Sequence, residues 1–202
     1  NIWRDGSGNG NDGQLMNFGF TEDSGWVDGG LRFDGVDDYV ECGNGGSLNI
    51  TEDLTIEILV KINPGNNVGG ICKGDHGTWR FNSYGLRSRY STNKNDYRFF
   101  ISDGDKIEGP SFVGIDTGSW LHLIGTTSKA EMDFKLYRDG ILYREEQRTI
   151  EDILITNNKL EIGTYHRSAR TQGAFKFIRI YNRALTDEEI LQNYQGNYSK
   201  NG

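Results

Sequence analysis

The stretch KLYRDGILYRE, Lys135 to Glu145, sets two runs of alternating character around Asp139 and Gly140, and this pattern limits the fold more than any other. Asp-Gly between alternating runs suits a two-residue hairpin turn, because both central residues need positive φ and each flanking run sends one row of side chains to each face. FISDGDKIEG, Phe100 to Gly109, repeats the arrangement around Asp103 and Gly104, and a second hairpin is expected there. The segments GLRFDG, DDYVECG, GGICKG, WRFNSY, GLRSRYS, YRFFIS, WLHLIGTTS, ILYREEQ, NKLEIGTY and AFKFIRIYN read as further short strands. DLTIEILVKI, Asp53 to Ile62, is a near-continuous β-branched run of the kind that is buried within a sheet. The 28 glycines against only two prolines fit many strands joined by tight turns. The predicted fold class is all-β: a two-sheet antiparallel sandwich of about a dozen short strands.

One helix is expected. In TDEEILQNY, Thr186 stands as N-cap with Glu189 three residues on, and Asp187 and Glu188 favour the positive end of the helix dipole. It is predicted to be short and to end near Gly196. The first fourteen residues, rich in glycine and polar side chains, are expected to form a structured loop or linker without a strand.

The 202 residues are expected to form one domain, 1–202, large enough for a core without disulfide or metal support. Starting at Asn1, with no methionine or signal peptide, the chain is read as a domain excised from a longer protein. Cys42 and Cys72 lie in separate expected strands, and spacing leaves both a disulfide and two buried thiols open. The net charge of −7, from 22 basic and 29 acidic residues, argues against nucleic acid and anionic membrane as partners. No run of apolar residues is long enough for membrane insertion.

The series DGSGNGNDG, LRFDGVDDYVECGN, SLNITEDLTIEILVK, GSWLHLIGTT, KLYRDG, LEIG and RIYNRALTDEEILQNY resembles, in order, the laminin-G-like modules of the concanavalin A-like lectin/glucanase superfamily. The resemblance implies a jelly roll of two antiparallel sheets, with the short helix packed at the edge. Its members include glycan-binding modules, adhesion modules, and polysaccharide hydrolases or lyases, so the fold does not choose the function.

A retaining glycosidase of this fold needs two carboxylates on one strand face. The nearest match, EMDFK, has Glu131 and Asp133 but Lys135 where the second acid belongs, so no enzyme activity is expected. Trp120 and His122 fall on the family's Trp-x-His strand and are read as packing residues. In LRFDGVDDYVECGN, Asp34, Asp37, Asp38 and Glu41 read first as turn chemistry, with Asp37 and Asp38 bonding amides at the next strand's entrance. Asp5, Asn9, Asn11 and Asp12 offer a half-site for a structural calcium. The resemblance places an acidic ligand near this loop on the last strand, where this chain carries Lys176; its ammonium is a candidate substitute for the ion.

Sugar sites use aromatic faces and planar polar side chains. HGTWRFNSYGLRSRYSTNKNDYRFF supplies Trp79, Arg80, Arg87, Arg89, Tyr97 and Arg98, with Arg87 and Arg89 on one strand face and Arg98 opposite in direction to its neighbours Tyr97 and Phe99. GTYHRSARTQG adds Tyr165, His166, Arg167 and Arg170. These residues are the expected carbohydrate-binding set, a basic groove for acidic or polar glycans. The expected function is a non-catalytic, lectin-like recognition module on an extracellular, cell-surface or virion protein. The alternative is a protein-interaction, adhesion or spacer module.

Overall fold

The structure is a computed structural model that describes residues 1–27, 29–63, 69–74, 82–88, 96–115, 118–165 and 169–198. Two antiparallel sheets pack face to face. In the first, neighbouring strands run in the order Ile2–Trp3, Gly13–Met16, Tyr39–Glu41, Leu160–Ile162, Gly70–Lys73, Tyr84–Ser88, Tyr97–Ser102 and Ile107–Glu108, with Ser111–Phe112 also paired to Tyr97–Ser102. In the second the order is Ile141–Gln147, Asp133–Arg138, Trp120–Ser128, Leu54–Ile62, Gln172–Tyr181, Gly30–Asp34 and Gly25–Val27. The predicted jelly-roll sandwich is therefore the observed architecture. No helix among the described residues is long and apolar enough to cross a membrane.

Alternation fills the space between the sheets. Val40, Ile162, Ile71, Leu86 and Phe99 form one cross-strand row on the inner face of the first sheet. Ile56, Ile58 and Val60 face them from the second, all fully buried, each side chain contributing about 1.5–3 kcal/mol by leaving water. Gly125 is a point of close approach: a Cβ there would sit 2.3 Å from the Phe99 ring, so only glycine leaves room for that ring.

The first hairpin forms as read: Asp139 and Gly140 have φ of 53° and 77°, the two positive values such a turn requires. The second is wider than expected. Ser102 pairs with Ile107, leaving four residues in the loop, because the Asp103 carboxylate accepts the amides of Asp105 and Lys106 and so organises a longer turn. The N-terminal segment also departs from expectation, since Ile2–Trp3 is a strand paired with Gly13 and Gln14. In the region read as WRFNSY, Tyr84 opens a strand and Asn82 and Ser83 precede it; Trp79, Arg80 and Phe81 lie outside the described residues. Cys42 and Cys72 are unpaired thiols.

The helix spans Asp187–Tyr198 and opens with both halves of the capping box: the Glu189 amide donates to Thr186 Oγ1 at 3.3 Å, and the Thr186 amide donates to Glu189 Oε2 at 3.0 Å. It runs past Gly196, because Asn197 bonds both Arg179 and Glu57 and so holds the last turn down. Glu57, from the centre of Leu54–Ile62, organises this docking. Its side chain is completely buried and accepts from His122 Nε2, Arg179, Tyr181 and Asn193 at 2.9–3.0 Å. His122 is likewise fully buried, the packing role expected of it.

Burial works against ionisation of Glu57, but the His122 hydrogen bond and the Arg179 charge outweigh it and hold the carboxyl below its ordinary value. A folded-state value below the unfolded one contributes stability at neutral pH that is lost as pH falls through it. We expect Glu57→Ala to cost about 3–5 kcal/mol in urea unfolding, since it leaves several buried polar groups without their acceptor. Acidification from pH 7 to below 4.5 is expected to destabilise the wild-type protein far more than the variant.

Candidate functional site

Because Tyr97, Phe99 and Ile101 face the core, their neighbours Arg98, Phe100 and Ser102 lie on the opposite side of the sheet, where Phe100 and Ser102 are nonetheless fully buried, and strand register extends this outer face across the first sheet. Arg87 stands directly opposite Arg98 in that register. The Arg87 guanidinium lies 4.9 Å from the centroid of the Phe100 ring, and Arg98 donates to the carbonyls of Gly109 and Ile107 at 3.0 and 3.2 Å. Toward the other end of the face, the Arg170 guanidinium lies 5.4 Å from the Tyr39 ring centroid. The outward positions between these groups are small at Gly70, Cys72 and Gly85, with Glu161 beside them.

The structure thus brings Arg87 and Arg98 together, with Arg98 the more accessible, since Arg87 is only 7% exposed. Tyr97 leaves the predicted set: it is fully buried on the core side, where an odd-numbered residue of this strand must point. Tyr165 lies in the short pairing of Thr164–Tyr165 with Ala169–Arg170, so part of the expected loop is a hairpin. Trp79, Arg80, Arg89, His166 and Arg167 lie outside the described residues. Tyr39 was not anticipated; its alternation with the buried Val40 was the available signal.

The N-terminal loop turns its carboxylates inward on itself. Asp5 accepts the amides of Ser7 and Asn11 and the Ser7 hydroxyl, and Asp12 accepts the Asp5 amide and the Arg4 guanidinium. Burial opposes ionisation of Asp5, yet the bonds from Ser7 and Asn11 leave its carboxyl below the ordinary value. Asn11 is tied to Ser47. Asn9 is exposed in the same turn. The compensating cation is Arg4, 2.5 Å from Asp12, and not Lys176, whose ammonium instead lies 5.0 Å from the Trp120 ring centroid. Lys176 was misplaced because it occupies a bulge between Phe175 and Phe177.

In the acidic stretch, Asp34 accepts the amides of Val36 and Asp37, and Asp38 accepts that of Asp34. The turn reading holds for Asp34; Asp38 bonds the end of the preceding strand and not the entrance of the next, and Asp37 is exposed, its backbone carbonyl accepting from Asn17. Carboxylate oxygens of Asp34, Asp37 and Asp38 lie within 4.8 Å of one another. Burial and then the neighbouring acids push the Asp38 carboxyl up, partly offset by bonds from Ser24 and Asp34. At EMDFK, Lys135 pairs with Asp133 at 3.1 Å and Glu131 falls in the preceding turn, so these acids form no carboxylate pair on the strand.

A concavity of about 680 Å³ opens between the sheets, beside the last strand. Val40, Ile50, Ile162, Ile178 and Ile180 give it an apolar side, and Asp5, Asn11, Arg179 and Asn182 line it with polar groups. Nothing in the sequence pattern indicates a gap here.

Comparison with protein families matches residues 34–191 to the laminin-G-like family described as the concanavalin A-like lectin/glucanases superfamily. Comparison with curated protein sequences finds no match. Among solved structures, the receptor-binding domain of botulinum neurotoxin C/D mosaic serotype is similar at a TM-score of 0.68 and 16% identity, over 93% of this chain and 47% of that one. The botulinum neurotoxin serotype D ligand-binding domain, in complex with N-acetylneuraminic acid, is similar at 0.64 and 14%, again over 93% and 47%. The Ruminococcus gnavus IT-sialidase CBM40, bound to α2,3-sialyllactose, is similar at 0.59 and 17%, over 73% of this chain and 85% of that one. The chain spans about half the length of the neurotoxin chains it matches.

Cys72 lies on the floor of the outer face, and burial pushes its thiol, like that of Cys42, up to about 12. We expect neither thiol to react with Ellman's reagent at pH 8 in the folded protein and both to react in denaturant; rapid reaction of Cys72 would show that this face opens to solvent.

Proposed function

The chain belongs to the concanavalin A-like lectin/glucanase superfamily, and on that premise we propose that it is a non-catalytic module that binds carboxylate-bearing glycans through the outer face around Arg87 and Arg98. The observation that carries this reading is the placement of two arginines directly opposite each other on one sheet face. A carboxylate can bridge two neighbouring guanidinium groups with short, charge-assisted hydrogen bonds. The Phe100 ring beneath Arg87 and the carbonyls of Ile107 and Gly109 hold the two heads in place.

The strands of Tyr39 and Arg87 are three apart, about 14 Å across this face. Tyr39 with Arg170 supplies an aromatic and planar polar wall on its far side. The sialic acid complexes of two structural neighbours support this ligand class, since N-acetylneuraminic acid carries a carboxylate on its ring. The pairing of Lys135 with Asp133, in place of two facing acids, supports binding without turnover. The setting that goes with this reading is an extracellular, cell or virion surface, where such glycans are displayed.

Titration of the protein with α2,3-sialyllactose, followed by NMR or calorimetry, is expected to show saturable binding and much weaker binding of neutral lactose. Arg98→Ala is expected to weaken sialyllactose binding by about tenfold or more, with Arg98→Lys recovering little because it lacks the planar fork. Unaltered binding in Arg98→Ala, or no binding to any acidic glycan, would overturn this reading. Release of reducing sugar would replace it with an enzyme.

A further inference from the structure

The strand Gln172–Tyr181 is paired along nearly its whole length with Leu54–Ile62 on one side, but on the other side Gly30–Asp34 reaches only Gln172–Phe175. Beyond Phe175 that neighbour stops. Gly29, at a φ of 73°, turns the chain back into Gly25–Val27, and Gly30 already abuts the Phe175 carbonyl. Among the described residues, no strand pairs with Phe177–Tyr181 on this side, so alternate main-chain N–H and C=O groups there point along an open edge.

Side-chain burial marks the same place. Ile178 and Ile180 face the interior opposite Ile58 and Ile56, which are fully buried, yet both remain partly exposed. They line the 680 Å³ cleft, whose far wall is the inner face of the first sheet at Val40 and Ile162, with Ile50 from the segment before Leu54–Ile62. The defect has the dimensions of a missing strand: an unpaired edge of five residues, about 17 Å long, beside an apolar inter-sheet gap.

We propose that this slot receives an extended segment of another polypeptide, which adds a strand to the second sheet in line with Gly30–Asp34. The main chain of Phe177–Tyr181 demands a peptide backbone as partner, which a glycan does not supply. The cleft requires apolar side chains at alternate positions of the guest. On the outward side of this strand and just beyond it, Lys176, Arg179 and Arg183 are engaged by Trp120, Glu57 and Glu189, so the intervening guest positions face away from the cleft and suit polar side chains. The guest is thus an alternating apolar and polar strand. This inference does not depend on the glycan reading, which concerns the other sheet.

The probe is the dye-labelled heptapeptide Thr-Val-Glu-Val-Glu-Val-Thr, with Thr-Glu-Val-Val-Val-Glu-Thr as a control of the same composition and broken alternation. Fluorescence anisotropy should show saturable binding of the first and at least about tenfold weaker binding of the second. Hydrogen exchange on the wild-type protein should slow at Phe177–Asn182 on adding the first peptide, while Gly173–Phe175 are unchanged. Ile180→Trp, which fills the cleft, should weaken binding by a similar factor. Absence of saturable binding at millimolar peptide, or equal binding of both peptides, would overturn the proposal. So would protection of the same amides by protein concentration alone with a sedimenting dimer, which would give the slot to a second copy.

Discussion

The rest of the structure depends on the strand Leu54–Ile62, buried on both faces at the centre of the second sheet. Its inward row, Ile56, Ile58 and Val60, is the apolar wall on which the first sheet packs. Its outward row contains Glu57, a carboxylate withdrawn from water and stabilised by a cation, a histidine, a phenol and two amides. Each such group costs free energy if buried alone, so the carboxylate and its partners hold one another in place. That network fixes the helix Asp187–Tyr198 against the sheet and orients Arg179 and Tyr181 on the last strand.

Two kinds of surface follow from this sandwich. The outer face of the first sheet is made by alternation: each inward core residue forces its neighbours outward, and cross-strand register decides which of them meet. Arg87 and Arg98 meet because Tyr84–Ser88 and Tyr97–Ser102 pair with Leu86 opposite Phe99. A slip of either strand by one residue would send its arginine into the core. The cleft beside the last strand arises differently, from a neighbour that ends too early and leaves backbone groups and two isoleucines incompletely covered.

These surfaces suit different partners because their chemistry differs. Guanidinium groups with aromatic rings on a broad face match an anionic, hydroxylated ligand; unpaired amides above an aliphatic gap match a polypeptide. The superfamily includes both glycan-binding and adhesion roles, and this fold holds a candidate surface for each without either occupying the other's space.

Alternation, Asp-Gly turns and a capping box are local, and the sequence by itself therefore determined the all-β class, the hairpin at Asp139 and Gly140, the start of the helix and the opposed directions of Arg98 and its neighbours Tyr97 and Phe99. It also carried enough of the family's motif order to place the fold. Features set by distant partners were not legible. The core position of Tyr97 needed the inward sense of its strand. The choice of Arg4 over Lys176 as the cation beside Asp12 depended on a bulge that no propensity marks. The continuation of the helix past Gly196 depended on Asn197 reaching Glu57, 140 residues earlier. The open edge at Phe177–Tyr181 lies in a sequence that reads as an ordinary buried strand, since a missing neighbour leaves no trace in the strand that lacks it. Periodicity is fixed by neighbouring residues, whereas register, buried-charge pairing and unfilled space are properties of the assembled sheets, so only the tertiary structure decided them.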